Sequence, residues 1–136
     1  MKVLFDTNVI LDVLLNREPF VANSALLMGY VEREVIEGYL CATTITTLDY
    51  LLSKALNKTS SRAGIYKLLS MFKIAEVNST VLELSLNSNF SDFEDAVQYY
   101  SGICCGINAL VTRNTKDYRN TELPIYMPDE LLVIIK

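Results

Sequence analysis

The chain has 136 residues, 51% of them hydrophobic and 21% charged, with sixteen Asp and Glu against twelve Lys and Arg for a formal net charge of −4. That length matches one compact domain of roughly 100–150 residues; the apolar share argues against disorder, and the acidic balance argues against holding nucleic acid by bulk positive charge. Histidine is absent, which removes Ser-His-Asp and Cys-His nucleophile pairs, imidazole-ligated zinc and imidazole acid–base chemistry.

Val3-Leu4-Phe5 is an apolar burst that stops at Asp6 and passes into Thr7-Asn8-Val9-Ile10-Leu11, the pattern of a buried strand feeding a helix. Apolar positions between Pro19 and Glu37 recur at helical spacing, and Gly38 offers a stop. Tyr39 to Thr43 reads as a strand, with a strand-to-helix junction near Thr46 and a helix over Leu48 to Leu56. Residues 60 to 72 read as a helix and Ile74 to Val77 as a short strand. Thr80-x-x-Glu83 and Ser91-x-x-Glu94 have capping-box spacing and open two further helices, the second running to Ser101. Ile107 to Thr112 is the next strand, followed by the polar turn Arg113 to Asp117. Leu123 to Met127 is a last strand, and Pro128 opens a terminal helix over Asp129 to Leu132.

Strands alternating with helices predict an α/β fold over residues 1–136 as a single domain, a mostly parallel sheet of four or five strands covered by helices on both faces. Cys41, Cys104 and Cys105 form neither an even disulfide framework nor a CxxC pair, and read as buried small side chains in a reducing compartment. No apolar run approaches the roughly 18 residues of a membrane span, and the first residues lack a signal-peptide core. A soluble cytoplasmic protein is expected.

In such sheets a site assembles beyond the C-terminal strand ends. There the sequence delivers Asp6 and Asn8 after the first strand, Thr46 and Thr47 near the second, and Thr112, Asn114 and Asp117 after the fourth, with Asp92 and Asp95 at a helix start. Acids gathered in one pocket repel by about 4 kcal/mol per close pair at an effective dielectric near 20, which calls for a cation or raised pKa values. Oxygen-only ligands favour Mg²⁺ or Mn²⁺, and such a metal suits phosphodiester hydrolysis. Structural roles compete for several of these acids: Asp92 and Glu94 suit a helix first turn, Asp49 suits a cap partner of Thr46, and Asp12 suits a solvated or structural position. Asp6 and Asp95 lack so simple a local duty.

Leu4-Phe5-Asp6-Thr7-Asn8-Val9-Ile10-Leu11-Asp12, Asp92-Phe93-Glu94-Asp95-Ala96-Val97-Gln98 and Leu110-Val111-Thr112-Arg113-Asn114-Thr115-Lys116-Asp117-Tyr118 resemble, in order and spacing, the three motif blocks of PIN-domain proteins, including small bacterial VapC-like toxin ribonucleases. The closing Leu123 to Leu132 resembles that family's last strand and helix. The resemblance implies a Mg²⁺- or Mn²⁺-dependent endoribonuclease with Asp6, Asp95 and Asp117 as catalytic, metal-holding acids. It implies supporting or substrate-binding roles for Asn8, Thr47, Asp92, Thr112, Arg113 and Asn114. It further implies an RNA substrate, a cognate antitoxin and a homodimer.

One position departs from the pattern. Thr47 stands where the family usually has Glu, and Asp49, two residues on, is turned by about 200° around a helix. The alternative is therefore a catalytically weakened or inactive PIN-like module that binds RNA or protein. Around the expected site, Arg113, Lys116 and Arg119 can meet phosphates or remain solvated, as can Lys54, Lys58 and Arg62; Tyr99 and Tyr100 can stack on bases or pack in the core. An aspartyl-nucleophile phosphatase is disfavoured because Asn8 occupies the place of its second acid.

Overall fold

The computed structural model describes residues 1–135. Its sheet has five strands in the order β3-β2-β1-β4-β5, every pair parallel. The strands are β1 (Lys2–Phe5), β2 (Glu37–Cys41), β3 (Lys73–Ala75), β4 (Ala109–Val111) and β5 (Ile125–Tyr126). Between and after them run α1 (Thr7–Leu14), α2 (Val21–Glu32), α3 (Ala42–Ala55), α4 (Lys58–Met71), α5 (Ser79–Leu86), α6 (Phe93–Cys105) and α7 (Pro128–Ile135), with a 3-10 turn over Thr115–Tyr118.

The central strand shows why the sheet is covered twice. Val3, Leu4 and Phe5 are all fully buried. Val3 and Phe5 face a core shared with Val9, Leu27, Leu48 and Leu131, while Leu4 faces a second core with Tyr39, Tyr99, Leu110 and Tyr118. A strand with both faces covered has no solvated side, so its sequence is a continuous apolar run instead of an alternation. The first core is tight where β2 passes α2 and α4: a Cβ on Gly38 would lie 2.6 Å from the Phe72 ring and 2.8 Å from Val31.

Several local expectations need correction. The helix expected over 19 to 37 is α2, Val21–Glu32. It ends because Glu34 takes a left-handed φ of 61° and the amide of Val35 turns back to the Tyr30 carbonyl, while Gly38 belongs to β2. α3 begins at Ala42, not near Thr46; the β-branched run Thr43 to Thr47 looks extended by propensity, but the packed helix overrides it. The caps also move. Asn78 accepts from the Val81 amide and Asp92 from the Asp95 amide, each at 3.0 Å, in place of Thr80 and Ser91. α6 continues past Ser101 to Cys105, where Gly106 at φ 78° closes it. Of the cysteines only Cys41 is buried; Cys104 is exposed and Cys105 half-buried, all three as free thiols. Among the described residues no helix is long and apolar enough to cross a membrane.

Candidate active site

The strand order reverses around β1: the chain steps outward through β2 and β3, then returns to the other side of β1 for β4 and β5. A crevice opens beyond the strand tips at such a switch point. The residues leaving β1 and β4 there are Asp6 and Thr112. The Asp6 amide donates to the Val111 carbonyl at 3.0 Å, which fixes the two tips together.

Asp6 occupies the N-cap position of α1, yet its carboxylate makes no cap hydrogen bond. It turns into the crevice. Gln98 Nε2 donates to Asp6 Oδ1 at 3.1 Å and Thr112 Oγ1 donates to Asp6 Oδ2 at 2.7 Å. The Thr112 hydroxyl in turn accepts from the Asn114 amide at 3.0 Å. Gln98 uses its other N–H on Tyr118 Oη at 2.7 Å, and its carbonyl Oε1 accepts from Thr44 Oγ1 at 3.1 Å. With its one hydrogen spent on Gln98, Thr44 accepts from Thr7 across 3.0 Å. Asp6, Thr44, Gln98, Thr112 and Tyr118 are all buried. The network is a built polar cluster in which each carboxylate oxygen of Asp6 has one donor and retains further acceptor capacity.

Asp95 lies one turn into α6 and is half-buried, Asp92 caps that helix, and Asp117 sits in the 3-10 turn. Burial pushes the Asp95 carboxyl up to about 7, with further upward pressure from Asp92, Asp6, Asp117 and Glu94 in that order. Burial, together with Asp6 and Asp95, also holds the Tyr118 phenol far above its ordinary range. Carboxylates from β1, α6 and the segment after β4 thus act on one another in one place. Among the described residues none of Asp6, Asp92, Asp95 and Asp117 is in an ion pair.

The other anticipated residues are placed as follows. Asn8 lies in the first turn of α1 and Thr47 on α3, one turn after Thr44. Asp49 points away, accepting from Ser61 Oγ at 2.8 Å and Arg62 Nε at 2.9 Å on α4, so it is no cap partner of Thr46, whose hydroxyl donates to the Thr43 carbonyl. Arg113 is engaged with a different acid. Its Nε and Nη2 reach Asp12 at 2.7 and 3.2 Å, and its guanidinium lies over the Phe20 ring at 4.2 Å. Asp12 is fully buried and also faces Arg17 at 3.4 Å, a structural ion pair and not a solvated group. Tyr99 is a core residue whose hydroxyl accepts from the Glu122 amide, while Tyr100 is half-buried.

Sequence reasoning gave no role to Gln98, Thr44 or Tyr118. The signal for Gln98 is its place one turn after Asp95, on the same helical face. Thr44 was hidden by the late start assigned to α3.

The donor set fits a hard divalent cation. It is all oxygen, it is uncompensated, and the neighbouring acids oppose the ionisation of Asp95, a conflict that a cation relieves. Among the described residues no three acidic side chains close into a ready cage. Mg²⁺ commonly uses one or two carboxylates and keeps several waters, and Asp6 with Asp95 suits that habit.

An all-parallel α/β domain with unpaired carboxylates converging at its switch point is the class that fold and site define. The chain belongs to the PIN domain family, whose model matches residues 2–116. It is 25% identical over 134 residues, 95% of this chain and 92% of the relative, to ribonuclease VapC1 of Aquifex aeolicus (strain VF5). Its fold is shared with a toxin-antitoxin complex from Klebsiella pneumoniae at TM-score 0.69 and 21% identity, covering 93% of this chain and 97% of that one. It is also shared with DNA-bound VapBC from Salmonella typhimurium at TM-score 0.71 and 14% identity, covering 94% and 98%.

Proposed function

We propose that this chain is a Mg²⁺- or Mn²⁺-dependent endoribonuclease that hydrolyses RNA phosphodiester bonds, and that it is the toxin of a toxin–antitoxin pair. The observation that carries this reading is the diversion of Asp6 from its cap into the crevice, where Gln98 and Thr112 hold both of its oxygens, with Asp6 and Asp117 among the acids that oppose ionisation of Asp95. The relative named a ribonuclease and the neighbour described as a toxin-antitoxin complex support it.

Asp6, Asp95 and Asp117 would hold the cation, which when bound supplies Lewis-acid polarisation of a phosphoryl oxygen and a more acidic water. The protein's own part is positional. Gln98 and Thr112 fix both oxygens of Asp6, leaving the carboxylate one orientation. Asp95, whose carboxyl is pushed up by burial and by the neighbouring acids while no cation is present, would be held ionised beside one and serve as its ligand. We assign supporting or substrate-contact roles to Asn8, Asp92, Asn114 and Thr47, while Arg113 stiffens the segment after β4 through Asp12.

The test is cleavage of RNA with Mg²⁺ or Mn²⁺ by wild type, Asp6→Asn and Asp95→Asn, with losses of about a hundredfold or more expected for each variant. Equal activity in all three refutes the assignment. Thr47 at the position of the expected acid, with no closed three-acid cage among the described residues, favours a second reading as a non-catalytic PIN-like binding module. Calorimetric Mn²⁺ binding that disappears in Asp6→Asn, together with cleavage, rejects that reading. A cytoplasmic location, an antitoxin that covers the acidic pocket and a homodimer complete the proposal; a monomer by light scattering at high concentration would remove the last.

A further inference from the structure

Beside the acidic pocket lies a cleft of about 600 Å³ whose walls include Phe90, Tyr100, Lys116, Asp117 and Arg119. We infer that this cleft is a nucleotide subsite, in which Phe90 and Tyr100 offer an aromatic wall to one base of an RNA strand and Lys116 and Arg119 hold its phosphate. The inference rests on the nuclease reading for the identity of the ligand, and deepens it by placing the strand.

Three observations carry it. The volume falls within the range of about 300–1,000 Å³ typical of small-ligand sites. The aromatic wall is braced: Phe90 meets Tyr100 edge to face at 6.1 Å and is backed by Tyr99 at 5.4 Å and Tyr118 at 5.9 Å. A base stacking there orders little that is not already ordered.

The charge is local. Arg17, Arg62, Lys67, Lys73 and Arg113 are in ion pairs, and Arg33 and Lys54 lie over tyrosine rings. Lys2, Lys58, Lys116 and Arg119 have no ion-pair partner among the described residues, and of these four Lys116 and Arg119, both exposed, line the cleft. On a chain of net charge −4, two free cations against one carboxylate mark this cleft as a place for an anion. That carboxylate, Asp117, is shared with the acidic pocket, so a phosphate held in the cleft adjoins the proposed chemistry.

The test needs neither metal nor turnover. In EDTA, the full chain is titrated with adenosine monophosphate, inorganic phosphate and a hexaglutamate peptide, followed by tyrosine fluorescence and by NMR shifts. The nucleotide should bind about tenfold more tightly than phosphate, as expected for one base on an aromatic surface. Arg119→Ala and Lys116→Ala, both at exposed positions, should each weaken it severalfold, and Lys58→Ala, an exposed cation on α4 outside the cleft, should leave it unchanged. Phosphate binding as well as the nucleotide, or indifference to both cation variants, overturns the subsite. A peptide that binds as tightly makes the cleft a protein-docking site and overturns it too. Nucleotide binding without RNA cleavage by wild type supports the subsite and refutes the nuclease reading. Cleavage with KM unchanged in Arg119→Ala and Lys116→Ala keeps the nuclease and refutes the subsite.

Discussion

Gln98 and Asp6, 92 residues apart in the chain, meet at 3.1 Å, and the same amide nitrogen reaches Tyr118 at 2.7 Å. A buried glutamine thereby ties α6, the tip of β1 and the turn after β4 into one unit. Gln98→Ala leaves the Thr44 and Tyr118 hydroxyls and one Asp6 oxygen without their partner, and is expected to cost about 1–3 kcal/mol. Urea denaturation measures that cost. RNA cleavage by the folded variant should fall as well, because Asp6 loses one of its two orienting bonds.

The Asp12–Arg113 pair gives a second prediction. Asp12 is fully buried and receives two guanidinium hydrogen bonds. Asp12→Ala leaves a largely buried cation unpaired and is expected to destabilise by about 3 kcal/mol. The double variant Asp12→Ala/Arg113→Met should recover part of the loss in equilibrium unfolding. Full additivity of the two single changes would show that the pair is not coupled.

The raised pKa of Asp95 sets a pH dependence. A carboxyl at about 7 in the folded chain, against an ordinary 3.8, binds a proton that the unfolded chain has released. Its stabilising contribution is therefore complete below the unfolded value and is lost as pH rises through the folded one. Metal-free melting temperatures should fall between about pH 4 and about pH 8, by on the order of 1 kcal/mol in stability after allowing for solvent screening. Asp95→Asn should flatten that slope; an unchanged slope would place its origin in another group.

Thr47 lies one turn beyond Thr44 on α3, and Thr44 belongs to the Asp6 network. Thr47→Glu should add an oxygen ligand and raise Mn²⁺ affinity by about tenfold, since ligand charge count tunes such sites. Calorimetry on wild type and variant decides this, and no gain in affinity would mean that position 47 does not reach the pocket.

Gly38 allows β2 to pass closely under Phe72 and Val31. Gly38→Ala forces a Cβ between a ring and a branched side chain and is expected to cost about 1–3 kcal/mol. A thermal melt shows the loss, whereas Gly64→Ala, in open space on α4, should be neutral or stabilising.

Sequence pattern exposes those parts of this fold that depend on burial alone. Val3 to Phe5 and Ala109 to Val111 read as strands because both of their faces are covered, and the positions of Asp6 and Thr112 follow from where those runs stop. The polar interior is hidden for the opposite reason. Gln98 is the kind of residue that ordinarily faces water on a helix, and only packing reveals that it is buried. Asp12 finds its partner 101 residues away, a separation that carries no local signature. Four threonines in the first two turns of α3 mask its start, and with it the role of Thr44.

Placing the first strand in the middle of the sheet also orders events in time. Asp6 is made well before Thr112, its partner at 2.7 Å, which follows 106 residues later, and Tyr118 and Asp117 come later still. Until that segment is made, β1 has no neighbour on its β4 side and Asp6 lacks its Thr112 donor. The Asp6 site is thus held by distant segments alone: its two donors, Gln98 and Thr112, lie 92 and 106 residues along the chain, so it closes only once those separations have been bridged.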